Sequence, residues 1–344
     1  MRFCYVGHKF HQKTRSNAFF LDHLRTLGEV VEFYSSPDED ESMDDALIAE
    51  LATSEFDCYL FWQTEYVAER LLPLGLGRFI LVPMYDGAAG RPATFWRQFA
   101  SATFISFSRV HHEELQRLNC RSVYFQYFPE PRTGSALDFT KPLSAFFWER
   151  RPGNEPTLQT VLRMCEKLGV ASLHVHAAPD RGSSAAGRLN WPSEFLRDGV
   201  KVTVSRWFED RADLDNLMNA AHLIFAPRAL EGIGMSFLEA MARGQIVVAP
   251  DKPTMNEYLR HLTTGILYDL NRPELDIVPS RATLATMGKA VHRTVALGHE
   301  RWVMDKERLT SIILDDGRRW STKDHSSFFR NEIRRRASAR VRGA

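Results

Sequence analysis

Short apolar runs alternate with amphipathic stretches along most of this 344-residue chain, and that alternation restricts its fold more than any other feature. Six runs precede residue 128: 2–6, 30–34, 57–62, 78–83, 103–107 and 122–127. Consecutive parallel strands need a crossover, and a helix supplies it, so this pattern predicts a parallel sheet covered by helices. Six more runs follow, at 143–148, 172–176, 201–204, 222–226, 245–249 and 265–268, separated by helical segments such as 156–168 and 214–220. Between the two series, residues 129–142 shift to Pro, Thr, Gly, Ser and Asp, the composition of an inter-domain linker. The expected fold class is α/β, with two Rossmann-like, doubly wound parallel-sheet domains at residues 1–135 and 136–320. After Pro273 the chain reads as helical, at 282–297, 300–314 and 322–336, which gives a C-terminal helical extension and a basic helical tail over 321–344. The chain is long enough for each domain to bury its own core.

Charge is balanced, 44 Lys+Arg against 43 Asp+Glu, so no global field points to nucleic acid, and none is expected as a partner. Cys4, Cys58, Cys120 and Cys165 are scattered without zinc or disulfide spacing, and read as reduced, buried and inert. The apolar segment 3–6 runs directly into His8, Lys9, His11 and Lys13, which is neither a signal peptide nor a membrane span. A cytoplasmic protein is expected.

In open parallel sheets ligands bind beyond the carboxyl ends of the strands, which places 7–15, 63–66 and 84–90 on one rim. His8, Lys9, His11, Lys13 and Arg15 there read equally as ligand contacts or solvated charges. Asp86, in Met84-Tyr85-Asp86-Gly87, is the first-domain candidate catalytic residue, for contact with an acceptor, with an Asp–Gly turn as the plainer reading. The acidic run 38–45 precedes a helix at 43–51 with Ser42 as N-cap, so its charge is explained by the helix dipole. Asp213 and Asp215 are explained in the same way. No metal site is expected. The Gly, Ser and Ala-rich stretch 178–191 reads as a long loop.

Residues 227–269 concentrate the chemistry. The apolar run 223–226 leads to a turn at 231–234, a helix to about Arg243, and a strand at 245–249. Gly232 and Gly234 allow the backbone to turn tightly and approach a ligand, and the helix opened there directs its free N–H groups at an anion. Glu231 and Glu239 add acceptors for hydroxyls. Phosphate together with hydroxyls suggests a nucleotide sugar. A dinucleotide fingerprint fails, because Phe237 occupies the third glycine position and Ala249 and Pro250 stand where an acid is needed.

The segment Pro227, Glu231-Gly232-Ile233-Gly234, Leu238-Glu239-Ala240-Met241-Ala242-Arg243-Gly244, Val247-Val248-Ala249, Glu257 and Gly265 resembles the donor-binding core of retaining glycosyltransferases of family 4. That resemblance implies the two-Rossmann-domain GT-B architecture, a nucleotide diphosphate sugar as donor substrate, and no cofactor or metal. It implies that Glu231 holds hydroxyls of the transferred sugar, that Gly232, Ile233, Gly234 and Met235 hold sugar or phosphate, and that Glu239 accepts from the ribose. An ion pair of Glu239 with Arg243 is the competing reading. The family places an arginine after the first strand of the second domain, where Arg150 and Arg151 stand, and a lysine shortly after. Gly153, Asn154 and Glu155 occupy the lysine position, so Arg151, Arg228 or Arg206 are the alternative cations for the diphosphate.

The resemblance also implies transfer to a saccharide or lipid-linked hydroxyl acceptor in surface polysaccharide or glycolipid assembly. Arg318, Arg319, Lys323, Arg330, Arg334, Arg335, Arg336, Arg340 and Arg342, with Phe328, Phe329 and Ile333, would let the tail rest on an anionic membrane at the inner face; a frayed, solvated tail is the alternative. A catalytically silent nucleotide-sugar-binding protein, or an epimerase or phosphorylase of the same fold, are the other functions considered.

Overall fold

The computed structural model describes residues 1–35, 41–132, 137–179, 191–206, 208 and 210–315, with the side chains of Lys13, Glu41, Ser42, Met43 and Arg211 left out. The helix Glu41–Thr53 already contains Ser42, which is therefore not its N-cap; the middle of the linker, most of the 178–191 loop, and the basic tail with its 322–336 helix lie outside the described residues. Residues Met1–Trp302 form one compact unit containing both sheets, and a second unit begins at Val303.

The first sheet contains β1 (Arg2–His8), β2 (Glu29–Ser35), β3 (Cys58–Trp62), β4 (Arg78–Val82), β5 (Thr103–Ser106) and β6 (Arg121–Tyr124). Its order is β2-β1-β3-β4-β5-β6, and every pairing is parallel. The second contains β7 (Leu143–Trp148), β8 (Val170–His176), β9 (Glu194–Arg197), β10 (Val200–Ser205), β11 (Leu223–Phe225), β12 (Ile246–Pro250) and β13 (Gly265–Tyr268), ordered β13-β12-β11-β7-β8-β10-β9. Strands such as β3 and β12 are buried along their whole length, which is why they read as unbroken apolar runs. The chain changes direction of winding at β1/β3 in the first sheet and at β7/β11 in the second. Loops leaving those strands therefore line the crevice where such folds bind ligands. All four cysteines are free and buried, and burial pushes the Cys4 and Cys165 thiols up, away from the reactive thiolate.

Three features differ from the sequence expectation. The edge strand β9 pairs antiparallel with β10; its sequence Glu-Phe-Leu-Arg has too few apolar residues to stand out. The rim stretch 7–15 contains a short helix, Lys9–Thr14, whose first turn is capped by the His8 ring accepting from the Phe10 N–H at 3.1 Å. The expected helices 282–297 and 300–314 are one helix, Arg281–Leu314. Gly298 does not interrupt it. The Phe128 ring lies so close that a Cβ there would sit 2.3 Å from it, so this glycine serves packing and not chain reversal.

Candidate active site

Short β11 ends at Phe225, and the chain passes through Pro227 into a turn stabilised from both sides. Thr254, fully buried, donates its hydroxyl to the Glu231 carbonyl at 2.7 Å. Gly234 takes φ +80°, a conformation that disfavours any side chain, and becomes the N-cap of the helix Met235–Ala242. No cap side chain and no acidic residue covers that helix start, so its first N–H groups point toward whatever occupies the turn. Ile233 is buried beneath the turn and Met235 is half-buried at its rim.

Glu231 is the most enclosed acid of the turn, 3% exposed. Arg228 grips it with two N–H groups, Nη2 to Oε2 at 2.6 Å and Nε to Oε1 at 3.3 Å. The same Nη2 lies 2.9 Å from Asp86 Oδ2, so a single guanidinium joins acids from opposite sides of the crevice. Asp86 sits in the first turn of the short helix Tyr85–Ala88, its other oxygen accepting from the Gly87 N–H at 3.1 Å. Gly232 lets these two loops meet: a Cβ there would lie 2.8 Å from Met84 Cβ and 3.1 Å from Asp86 Oδ1. The structure thus brings together Glu231, Gly232, Arg228 and Asp86. In this arrangement the Arg228 fork faces carboxylates, the partners a diphosphate would have to displace.

Glu239 lies about one turn along the helix and is half-buried. Its distance from Arg243 Nη1 is 3.9 Å, the limit of an ion pair. Arg243 instead donates to Asp215 at 2.6 Å, to Asn219 at 2.8 Å and to the Glu239 carbonyl at 2.8 Å. The Glu239 carboxylate lies near Tyr127, whose hydroxyl is pushed up to about 12, mainly by burial and secondarily by the Glu239 charge.

Arg150 follows β7 and is half-buried, its guanidinium 4.9 Å from the Trp148 ring centre and 5.8 Å from that of Phe10, across the crevice. These ring faces orient the cation. Arg151 and Arg206 are exposed.

Composition alone did not single out the first-domain wall. Gln63, directly after β3, takes φ +56°, a backbone state uncommon outside glycine. Its Oε1 is 3.0 Å from His11 Nε2, and His11 Nδ1 is 2.7 Å from Ser16 Oγ. Burial lowers His11 to about 4, so the ring is neutral near pH 7. Two residues after Gln63, Glu65 is buried with Oε1 unpartnered, and burial pushes its carboxyl up to about 7. Because the folded value is raised, the folded state holds a proton that an unfolded carboxyl loses near pH 4.5. That contribution is complete below pH 4.5 and is lost as pH rises through about 7. Glu65→Gln is therefore expected to flatten the stability profile between pH 5 and 8 and to gain about 2–3 kcal/mol over wild type above pH 8. Urea melts of both proteins across that range check this.

Among the described residues there is no group of three or more His, Cys, Asp or Glu able to hold a metal ion, and no helix long and apolar enough to cross a membrane.

Comparison with known proteins finds likeness in one stretch of the sequence and in the fold. Residues 193–275 match the family described as "Glycosyl transferases group 1". A sequence comparison with curated proteins gives no match. Among solved structures, sucrose-phosphate synthase from Thermosynechococcus elongatus superposes with a TM-score of 0.66 at 14% identity, covering 92% of this chain and 100% of that one. The Anabaena protein HepE, solved in complex with UDP and glucose, gives 0.60 at 12% identity with the same coverage. The lipopolysaccharide outer core galactosyltransferase WaaB gives 0.58 at 11% identity, again with the same coverage. At such identities the likeness is one of fold. The chain has the GT-B architecture, two parallel-sheet α/β domains with a C-terminal helix.

Proposed function

We propose that this chain is a retaining glycosyltransferase that moves a sugar from a nucleotide diphosphate sugar to a hydroxyl acceptor. The observation that carries the reading is the buried Glu231 at a helix N-terminus without a capping side chain, with the Glu239 carboxylate about one turn along that helix. One turn then offers N–H donors for phosphate and carboxylate acceptors for hydroxyls. The family match over 193–275 spans this turn, and the similarly folded HepE was solved with UDP and glucose.

In this reading Glu231 accepts from hydroxyls of the transferred sugar, Gly232 to Met235 approach sugar and phosphate with backbone, and Glu239 accepts from the ribose. Arg150 supplies positive charge to the diphosphate from the end of β7, with exposed Arg151 beside it. Asp86 faces the reacting sugar from the first domain. The acceptor oxygen attacks the anomeric carbon on the face the diphosphate leaves. The bond to the phosphate oxygen breaks, and the acceptor proton passes to that departing oxygen. No enzymic nucleophile or metal is required by this scheme. The acceptor is a saccharide or lipid-linked hydroxyl in surface polysaccharide or glycolipid assembly, reached from the cytoplasm by a chain whose basic tail rests on the inner membrane face.

The test is nucleoside diphosphate release from a panel of sugar donors, with Glu239→Ala alongside wild type. The expected result is release from at least one donor, and an increase of roughly tenfold or more in KM for that donor in the variant, from loss of about 1.5–3 kcal/mol in a charged hydrogen bond. Release from no donor by any preparation, or an unaltered KM in the variant, would contradict the assignment. Sugar interconversion without added acceptor would favour an epimerase or phosphorylase, and binding without turnover a silent binding protein.

A further inference from the structure

The short helix Met255–Tyr258 stands between the Glu231 turn and the first domain, and it holds both. On one side Thr254, its N-cap residue, donates to the Glu231 carbonyl. On the other side Glu257 reaches across to the helix Arg109–Arg117, which belongs to the first domain. Its carboxylate accepts the Arg109 N–H at 2.7 Å, the Val110 N–H at 3.3 Å, the Ser108 hydroxyl at 3.0 Å and the Tyr124 hydroxyl at 3.3 Å. The Glu257 carbonyl accepts from Gln126 Nε2 at 2.9 Å, and the next residue, Tyr258, packs its ring 5.1 Å from that of Phe128. Glu257 therefore does for that helix what an N-cap side chain usually does. Ser108, the cap residue, makes no cap hydrogen bond and turns its hydroxyl to Glu257 instead.

We propose that Glu257 is a positioning residue for the transfer reaction: by capping the Arg109–Arg117 helix from the opposite domain, it fixes the first domain and its Asp86 against the Glu231 turn. This rests on the glycosyltransferase reading of that turn. A carboxylate with four donors, two of them backbone groups at the positive end of a helix, is a strong and directional attachment. It sits three residues from the hydroxyl that holds the turn, so a shift at one end of this short helix is passed to the other. Misplacement of about 1 Å between reacting groups is enough to cost roughly a hundredfold in rate. When the carboxylate is lost, Ser108 can return to its ordinary capping role, so the helix and the fold survive and only the register between the domains is released.

The experiment compares the full-length wild type with Glu257→Gln and Glu257→Ala. Hydrogen exchange is read at the Arg109 and Val110 amides, affinity is measured with UDP, and steady-state kinetics are followed with UDP-glucose or whichever donor of the panel is turned over. Both variants are expected to melt cooperatively, to exchange those two amides roughly tenfold faster or more, and to keep UDP affinity and donor KM within about threefold while kcat falls roughly tenfold or more. Unchanged exchange together with unchanged kcat in a folded variant would overturn the proposal. So would a loss of UDP affinity as large as the loss of kcat, which would place Glu257 in donor binding. If wild type neither binds UDP nor turns over any donor, the glycosyltransferase reading fails, while the exchange result still decides whether Glu257 holds the two domains together.

Discussion

Replacing Glu231 by Gln is expected to lower kcat by roughly a hundredfold or more and to leave the fold standing. The carboxylate is the acceptor assigned to the transferred sugar, and two charge-assisted hydrogen bonds at about 1.5–3 kcal/mol each account for that loss. The fold tolerates the change because Arg228 keeps Asp86 as a counter-ion, and the amide preserves the shape of the site. The double variant Asp86→Asn with Glu231→Gln removes both partners of a guanidinium whose side chain is 12% exposed. It should lose about 3–5 kcal/mol of stability, as breaking a buried pair does, and more than the two single changes add up to. Steady-state kinetics and denaturant melts of the three variants separate these effects. A Glu231→Gln enzyme of wild-type kcat would remove the sugar-binding role, and additive stabilities would show that Arg228 does not couple the two acids.

Gly234→Ala is expected to be damaging to both stability and activity. At φ +80° any Cβ is strained, and here it would fall 1.8 Å from the ring of Phe237, which is fully buried and packed 5.6 Å from Tyr258. Backbone strain costs about 1–3 kcal/mol, and displacing a core phenylalanine adds to it. A loss of roughly 3 kcal/mol or more should appear as a fall of about 4 °C or more in Tm. Activity should fall further than stability alone requires, because the helix N–H groups that face the donor move with the turn. Wild-type Tm for this variant would show that the turn relaxes without strain.

The two sheets and the glycine turn were legible in the sequence because both are local. A strand buried on both faces is a short apolar run whatever its neighbours, as Cys58–Trp62 and Ile246–Pro250 illustrate. Gly232, Gly234, Glu231 and Glu239 lie within one strand-turn-helix unit, so their spacing carries the site. What could not be read is what crosses the crevice. The carboxylates Asp86 and Glu231 meet through Arg228, and Ser108 meets Glu257 over a separation of 149 residues. Nothing in the local pattern of either partner announces such pairs. Ser108 before a helix reads as an ordinary N-cap, and only the structure shows the hydroxyl turned away. Gly298 lies inside the single helix Arg281–Leu314 and admits the Phe128 ring, a role its local sequence does not announce. An arginine was expected at Arg150 or Arg151, after the first strand of the second domain, but the seat of Arg150 depends on Trp148 of β7 and on Phe10 of the helix Lys9–Thr14.

The central claim is that the turn opened by Glu231 and Gly234 holds a nucleoside diphosphate sugar. Calorimetric titration of the intact protein with a set of nucleoside diphosphates tests it most directly, with Glu239→Ala as the paired variant. The account predicts saturable binding of at least one diphosphate by wild type, weakened roughly tenfold or more when the Glu239 carboxylate is removed. Binding of none of them, or equal binding by both proteins, would contradict it.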